Sequence, residues 1–439
     1  MLPCVLPVFP FLPPWVYLGT SRGKWVGISR NETLRCIFMV ENVKWGVDDM
    51  KFLTGISVLE LSENISASAC TKFMASLGAE VIKIENTQGG DPARRMGPFP
   101  NDDPHPEKSG LFLYLNMGKK DITLNLPTHE GKKIFRDLVA RSDILVEDLG
   151  AGQLKNLGFD YEELESIASH IIVTSISPFG ERGPFAHYNA QDITIEAASG
   201  MMLQQGSPDR EPIKMGGNII FYRAGASAFM ASLAALFHAE TTGEGQKVEV
   251  SIQEVLLQDD FITIEGYLAR GADIRRRYAP MLLPCNDGWF YIRAFPHEWP
   301  RLTKALGLPE LEKDERFIDM QARSEHAEEL NTIVMSRLSG LSKKEVYDSL
   351  QAHRVSVAYL ASVEDLFRSQ QYQSHAYFVP IDHPAAGTLA YPGAFATMGE
   401  VPWNYGRAPL LGEHNIEVLC GRLGYTREDV VRLRQQGTI

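Results

Sequence analysis

The sequence predicts an α/β protein whose larger part is a doubly wound parallel sheet. From residue 51 onward, short apolar runs alternate with amphipathic helical patterns, which is typical of βα units around such a sheet. The first unit shows this best. An apolar strand at 56–61 precedes a helix at 66–77 with one apolar face, and Gly78 stands where a left-handed residue ends a helix with little strain. The length of 439 residues leaves room for a second, smaller domain.

The later elements continue the same alternation. We expect strands at 81–85, 122–126, 144–146, 171–176 and 247–252, and helices at 130–141, 161–168, 223–240 and 253–270. Parallel neighbours need a crossover connection, so this order favours a sheet covered by helices on both faces. After residue 275 the pattern changes to a strand at 288–292 followed by two or three helices, which predicts a smaller α+β domain.

These patterns divide the chain into four stretches. Residues 1–50 form an atypical, proline-rich extension to which we assign no function, 51–275 the first part of the large domain, 276–370 the small domain and 371–439 a return to the large domain. The extension has neither the basic start nor the cleavage site of a signal peptide, and its prolines break any helix that would cross a bilayer. We therefore expect no membrane association.

The composition narrows the possible functions. The formal net charge of −12 and a pI near 5.5 disfavour nucleic acid as a partner, because proteins bind its phosphate backbone through a basic surface. The five cysteines are scattered and include no CxxC pair, which predicts buried thiols in a reducing cytoplasm rather than disulfides or a zinc site. The eleven histidines contain no HExxH pattern, so no metal site is predicted.

Common nucleotide and hydrolase motifs are missing from the sequence. The turn after the first strand, 61–66, lacks the glycines that let a backbone approach a pyrophosphate, and no GxxxxGK[ST] loop occurs. Ser199 is not part of a GxSxG elbow, which disfavours a hydrolase triad. Single motifs therefore leave the ligand open.

Several motifs in register nevertheless resemble the family-III CoA-transferases, which include formyl-CoA transferase, carnitine CoA-transferase and the 2-methylacyl-CoA racemases. The motifs are LGAEVIKIE at 77–85, GGD at 89–91, NMGKK at 116–120, TTGEGQ at 241–246 and APLLGEH at 408–414. The resemblance runs in order from about residue 55 to residue 439, so the first fifty residues fall outside it.

The resemblance implies a two-domain fold in which two chains interlock as a dimer, with coenzyme A bound on the large domain. It implies no permanently bound cofactor, since CoA and acyl-CoA are substrates. It also implies covalent catalysis. An aspartate attacks an acyl-CoA such as succinyl-CoA, and the resulting mixed anhydride becomes an enzyme-bound CoA thioester that passes CoA to a second carboxylic acid.

The resemblance places that aspartate a fixed distance before the TTGEGQ turn. Counting back reaches Phe221, or Ile220 with one gap, and neither side chain is a nucleophile. A racemase would need a histidine at the position of Gln191. We therefore predict that the family's catalytic aspartate position is occupied by Phe221 and that no catalytic residue stands there.

The CoA contacts that the resemblance implies are also altered. Basic residues that the family presents to CoA phosphates are replaced by Asn86, Asn156 and Ser177, and each exchange removes a charge-assisted contact worth about 1.5–3 kcal/mol. The remaining candidates for CoA binding are Leu124, Asn125, Pro127, Asp148, Leu149, Gly150 and Lys119.

Structural roles compete with these ligand roles. Lys119 is as well explained by a solvated surface position as by phosphate binding. Asp91 and Arg94 can cap or pair within their own loop, and Asp192 fits a helix N-cap.

Three hypotheses for the function follow. The favoured one is a CoA-transferase subunit without its own nucleophile, similar to one chain of the benzylsuccinate CoA-transferases, whose homologous partner carries the aspartate in a heterodimer or heterotetramer. The second is a self-sufficient acyl-CoA transferase or racemase in which Asp192 or Glu196 acts. The third is a CoA-binding pseudoenzyme.

Overall fold

The computed structural model describes residues 15–19, 25–29, 51–259, 261–271, 276, 281–399 and 401–439. The chain divides into two compact units, Met1–Met50 and Lys51–Ile439. In the first unit, strand β1 (Trp15–Gly19) pairs antiparallel with β2 (Trp25–Ser29). The expectation that the extension forms no membrane helix rests on the prolines at positions 3 to 14, which lie outside the described residues.

The second unit is built on a six-stranded parallel sheet, which confirms the predicted doubly wound α/β fold. Its strands are β3 (Ser57–Leu61), β4 (Glu80–Glu85), β5 (Lys120–Thr123), β6 (Ile144–Glu147), β7 (Ile172–Ser177) and β8 (Lys247–Ser251). They lie in the order β5-β4-β3-β6-β7-β8, and every neighbouring pair is parallel. The strand order reverses between β3 and β6, which is where doubly wound sheets open a crevice for a ligand.

Helices connect these strands as the sequence predicted. They are α1 (Ile65–Ser76), α2 (Gly110–Leu115), α3 (His129–Val139), α4 (Gln153–Asn156), α5 (Tyr161–Ile167), α6 (Asp192–Ser199), α7 (Ile219–Thr242), α8 (Ile252–Asp259) and α9 (Phe261–Arg270). The strand expected at 122–126 is shifted toward the N-terminus. It ends at Thr123. The amide of Leu124 still donates to the carbonyl of Glu85 on β4 at 2.8 Å, but the amide of Asn125 donates to the carbonyl of Thr438 at 2.7 Å instead.

Helices cover both faces of the sheet because successive strand residues point to opposite sides. Val58 of β3 belongs to a core that contains residues of α1 and α7, whereas its neighbour Leu59 belongs to a second core that contains residues of α3 and α5. Val81 and Ile82 of β4 divide between the two cores in the same way. This two-sided burial explains why consecutive apolar residues occur in strands such as β3 and β6.

Helix α7 packs closely on α1. A Cβ atom on Gly225 would lie 2.7 Å from both the Cβ of Ala69 and the carbonyl oxygen of Ser66, so the glycine allows the helices to approach. By length and composition α7 could cross a membrane, but half of its most apolar stretch is buried inside the protein. Such burial is typical of the core helix of a globular protein.

A third hydrophobic core lies between residues 281 and 357. It surrounds an antiparallel sheet of β9 (Leu282–Cys285), β10 (Gly288–Ile292) and β11 (Val357–Tyr359), in the order β11-β10-β9. The helices here are α10 (Trp299–Ala305), α11 (Met320–Glu325), α12 (Ala327–Leu338) and α13 (Lys343–Ala352). The strand at 288–292 is therefore confirmed, with more helices than the two or three predicted.

The tail of the chain returns to the large sheet. It contains α14 (Val363–Arg368), α15 (Gln370–Ser374), the hairpin β12 (Phe378–His383) and β13 (Gly387–Pro392), a π-helix (Glu417–Arg422) and α16 (Arg427–Gln435). The amide of Thr123 donates to Asn415 Oδ1 at 2.9 Å, and the amide of His414 donates to the carbonyl of Asp121 at 2.9 Å. The tail thus covers the free edge of β5.

The close approach of α7 to α1 gives a stability prediction. Gly225→Ala should lower the free energy of unfolding by about 1–3 kcal/mol, because the added methyl group has no room against Ala69. Gly340→Ala is a matched control, since a Cβ there meets nothing within 4 Å. Urea denaturation of both variants measures the difference. Equal stabilities would contradict the tight packing described here.

Candidate functional site

A cavity of about 790 Å³ opens at the carboxyl ends of the central strands. It is lined by residues 61–63 after β3, 84–88 after β4, 124–127 after β5, and Leu149 and Gln153 after β6. Its size lies within the range of small-molecule sites. The cavity therefore occupies the crevice expected at the reversal of strand order.

The structure brings most of the predicted CoA contacts to this cavity. Leu124, Asn125, Pro127 and Leu149 all line it. Gly150 follows directly, with a φ of +102° that favours glycine and turns the chain toward α4. These residues come from two separate loops, so the sheet places them together although they are far apart in sequence.

Asp148 has a structural position beside the cavity. Its Oδ1 atom accepts hydrogen bonds from the amides of Glu63 and Asn64 at 2.9 and 3.1 Å, and its Oδ2 atom accepts from the amide of Ala67 at 2.9 Å. Burial raises the pKa of Asp148 to about 7 despite these bonds. Asp148 thus holds the start of α1 against the end of β6, next to the loops that line the cavity.

Lys119 does not lie on the surface, so the expectation of a solvated residue is wrong. Its ammonium group is fully buried and donates to Glu60 Oε2 at 2.8 Å, Asn116 Oδ1 at 2.9 Å and the carbonyl of Ser68 at 2.9 Å. Burial lowers its pKa to about 8, and the carboxylate of Glu60 opposes this effect. Since its three donors are engaged, Lys119 as placed has none left for a phosphate, and it does not line the cavity.

Glu60 is the centre of a buried ionic network below the cavity. Lys83 donates to its Oε1 atom at 2.8 Å and also pairs with Asp91 at 2.6 Å. Burial alone would raise the pKa of Glu60, but the ammonium groups of Lys119 and Lys83 hold it well below its usual range. The network joins strand β3 to β4 and to the residue that precedes β5.

Asp91 of the GGD motif belongs to the same network, and Arg94 forms ion pairs beside it. Asp91 Oδ1 accepts from the amide of Ala93 at 2.7 Å, and Arg94 pairs with Glu85 at 2.7 Å and with Glu107 at 2.6 Å. The capping and pairing role foreseen for Asp91 and Arg94 is thus confirmed. The structure buries both residues, so their charges stabilise the loop from inside.

The three positions where basic residues were expected lie at or near this edge. Asn86 lines the cavity, and its side chain shapes the turn by donating to the carbonyl of Gly90 at 3.1 Å and accepting from the amide of Gln88 at 2.9 Å. Asn156 ends α4. Ser177 ends β7, and its buried hydroxyl has no hydrogen-bond partner in the described part of the chain.

Asp192 is the first residue of α6, on the segment that follows β7. The preceding residue, Gln191, is the N-cap, so the predicted N-cap role of Asp192 is off by one position. The carboxylate of Asp192 accepts from Lys214 Nζ at 2.6 Å and from the amide of Ile193 at 2.7 Å. The hydrogen bond from Lys214 lowers the pKa of Asp192 below its ordinary value. With its side chain 28% exposed, Asp192 presents an ionised and reachable carboxylate.

The segment that carries Asp192 passes beside the cavity. The imidazole of His187 lies 3.9 Å from the point where a Cβ on Gly152 would stand, in the turn between Leu149 and Gln153. Since β7 is a neighbour of β6, its carboxyl end opens on the same edge of the sheet. The topology thus brings Asp192 to the side of the sheet on which the cavity opens.

Glu196, the alternative carboxylate, and Phe221, at the family's aspartate position, are both buried. Glu196 is 1% exposed and accepts from the amide of Met215 at 2.9 Å. Phe221 lies in the first turn of α7 and belongs to the hydrophobic core, as does Ile220. Among the described residues, no group of three or more His, Cys, Asp or Glu side chains is placed to hold a metal ion.

Comparisons with known proteins agree with the fold and the motifs. The model of CoA-transferase family III matches residues 53–415. The chain is 30% identical over 413 residues to the formyl-CoA:oxalate CoA-transferase of Streptomyces avermitilis, which covers 89% of this chain and 100% of that protein. It is 34% identical over 382 residues to the succinyl-CoA:(R)-benzylsuccinate CoA-transferase subunit BbsE of Thauera aromatica, which covers 82% of this chain and 93% of that subunit.

A solved structure shows the same architecture. The CAIB/BAIF family protein from Brucella suis matches with a TM-score of 0.74 and 28% identity, over 84% of this chain and 99% of that one.

The buried network around Glu60 gives the prediction of this section. Glu60→Gln should lower the free energy of unfolding by about 3–5 kcal/mol at neutral pH, because it removes the carboxylate that pairs with buried Lys119 and one of the two carboxylates that pair with buried Lys83. Asp103→Asn, which breaks the exposed pair with Lys108, should change it by less than about 1 kcal/mol. Chemical denaturation of the two variants compares these effects.

The effect of Glu60 should also depend on pH. Because its pKa is lowered in the folded protein, its stabilisation is present above the ordinary carboxyl pKa and is lost as the pH falls toward the folded value. The wild-type protein and Glu60→Gln should therefore converge in stability in acid. A difference that grows in acid would contradict the assignment of an ionised Glu60.

Proposed function

Because this chain belongs to CoA-transferase family III, we propose that it moves CoA from an acyl-CoA such as succinyl-CoA to a carboxylic acid, with Asp192 as the nucleophile. One observation carries the proposal. Asp192 is an ionised, partly exposed carboxylate on the side of the sheet where the cavity opens. Phe221, where the resemblance placed the family's aspartate, is a core residue without a reactive group, so this proposal assigns the catalytic position to Asp192 instead.

Covalent catalysis at Asp192 takes four acyl-transfer steps. Its carboxylate attacks the thioester carbonyl, a C–O bond forms, the C–S bond breaks, and CoA leaves as a thiolate from a mixed anhydride. The thiolate then attacks the aspartyl carbonyl, which releases the first acid and leaves CoA on Asp192 as a thioester. The acceptor carboxylate attacks that thioester, and the returning thiolate takes the acyl group of the new anhydride, which regenerates Asp192.

Lys214 has two roles in this scheme. Its hydrogen bond keeps Asp192 ionised for the first attack. Its positive charge also lies where negative charge develops on the carbonyl oxygens during each exchange, and such fixed charges stabilise the transition state. Lys214 is itself positioned by the carbonyl of Met215, to which it donates at 3.3 Å.

We place CoA in the cavity at the switch point. The loops of Asn86, Asn125 and Leu149 offer backbone and amide groups to its polar atoms. Asn86, Asn156 and Ser177 supply no positive charge, so CoA should be held with fewer charge-assisted contacts than a set of basic residues would give.

A second candidate function is a subunit that depends on a homologous partner for the reacting aspartate. The observation that favours it is that one relative with 34% identity is named as a subunit. A CoA-binding chain without turnover is the corresponding pseudoenzyme. Both candidates require that Asp192 is not the nucleophile, so one substitution separates them from the main proposal.

The interlocked dimer is part of the same proposal. Large apolar side chains are exposed on two helices of the large unit, including Met230 and Phe237 on α7 and Tyr267 and Leu268 on α9. Phe237 is 77% exposed, and Leu268 is 76% exposed. Exposed apolar surface of this kind is typical of a protein–protein interface.

The nucleophile is tested by substitution. Asp192→Asn should lower the rate of CoA transfer from succinyl-CoA to a panel of dicarboxylic acids by about 1,000-fold or more, because the amide cannot form the anhydride. Asp209→Asn, at an exposed carboxylate of the same region, is the control. Mass spectrometry of the wild-type protein with succinyl-CoA should show an adduct of CoA less one water, which the asparagine variant lacks. Full activity of Asp192→Asn would overturn the proposal, and activity that requires a co-purified relative would favour the subunit.

The dimer is tested in solution. Light scattering after size exclusion should give twice the chain mass of 49.0 kDa at micromolar concentration. Phe237→Asp should weaken the dimer, because it introduces a charge into a buried apolar contact. Val431→Asp, at a residue that is also exposed but lies on α16, should leave the mass unchanged. A monomeric wild-type protein would refute the interface.

A further inference from the structure

Lys72 is a buried cation without an anion. The residue is 8% exposed on α1, and its ammonium group lies 4.0 Å from the ring centroid of Tyr114 and 5.7 Å from that of Phe73. Across the described ranges, no carboxylate and no hydrogen-bond acceptor is paired with it. A buried ammonium group normally has such a partner, because its transfer from water is otherwise costly.

The cation–π contacts with the rings compensate only part of this cost. Such contacts are worth about 2 kcal/mol when desolvated, less than the several kcal/mol that burial of an ion costs. Burial, reinforced by the positive charge of Lys119, lowers the pKa of Lys72 to about 8. The site would therefore be stabilised by an anion.

Tyr114, which stacks on Lys72, is also a wall of a second cavity. This cleft of about 450 Å³ is lined by Gly110 and Tyr114 of α2, Phe367 of α14 and residues 389–392 of β13. The lining is mainly aromatic and aliphatic, which suits the apolar body of a small ligand.

A chain of contacts connects this cleft to Asp192. The ring of Tyr114 lies 6.3 Å from that of Tyr222 in the first turn of α7. The residue before that helix's N-cap is Gly217, whose carbonyl accepts from Lys214 at 3.5 Å, and Lys214 pairs with Asp192. Aromatic rings and a loop thus lie between Lys72 and the carboxylate of Asp192.

We infer that this cleft binds the acid substrate, whose apolar body lies against Tyr114, Phe367 and Tyr391 and whose anchoring carboxylate pairs with Lys72. The inference rests on the proposed function, since it takes the ligand to be an acid that exchanges CoA. Because the contact chain separates Lys72 from Asp192, the anchoring carboxylate is not the one that carries CoA. The substrates are then dicarboxylic acids with an apolar segment.

The anchor is tested by direct binding to the full chain without CoA. Phenylacetate has an apolar body and one carboxylate, and phenylacetamide is its uncharged counterpart. In equilibrium dialysis, Lys72→Met should weaken phenylacetate binding by about tenfold or more and leave phenylacetamide binding unchanged, because it removes only the charge pair. Lys72→Arg should retain most of the affinity, and Lys133→Met, at an exposed lysine, should retain all of it.

Two further variants make the result decisive. Ala390→Trp fills the cleft from an exposed position and should weaken binding of both probes. Asp192→Asn should bind phenylacetate normally, so the loss of turnover in that variant and the loss of binding in Lys72→Met report on separate claims. Lys72→Met should melt at the wild-type temperature or above, since it removes an unpaired buried charge. Phenylacetate binding that is equal in the wild-type protein and Lys72→Met would overturn the inference.

Discussion

The ionic network centred on Glu60 is the interaction on which the rest of the large unit depends. Glu60, Lys83 and Lys119 belong to β3, to β4 and to the residue before β5, so the network ties three neighbouring strands together in one order. Thr71 of α1 also donates to Glu60, at 2.5 Å. A buried set of charges is satisfied in only one arrangement, whereas apolar side chains tolerate several, and this helps to specify the sheet. The cavity opens directly above it, at Ser62 and Asp91.

Much of this architecture is readable from the sequence because the central strands are buried on both faces. Short, largely apolar runs that alternate with helical patterns leave few other folds, and the motifs indicate a family that the comparisons confirm. The burial of Glu60, Lys83 and Lys119 could not be predicted from the sequence. Lys83 and Lys119 lie 23 and 59 positions from Glu60, and no local pattern distinguishes them from surface lysines. Only the folded sheet brings them together.

In the candidate site, too, the sequence indicates some residues, whereas other contacts arise only in the folded chain. The family resemblance implied loop residues such as Leu124 and Leu149, and the structure places both at the edge where the carboxyl ends of the parallel strands meet. The sequence favours a capping role for Asp192, since aspartate is a preferred residue at helix starts. Its pairing with Lys214, 22 residues later, comes from a loop whose course the sequence does not indicate. The spacing from the TTGEGQ turn places the family's aspartate position at Phe221, and the structure places Phe221 in the core.

The tail over strand β5 has a consequence for how the protein is made. β5 is an edge strand, and its amide at Thr123 and carbonyl at Asp121 are paired by Asn415 and His414, near the end of the chain. Thr123 and Asn415 are 292 residues apart in the sequence. During synthesis this edge of β5 therefore stays unpaired until His414 and Asn415 have left the ribosome. Unpaired edges attract other strands, so the nascent chain is most exposed to aggregation after its core has formed and before its tail arrives.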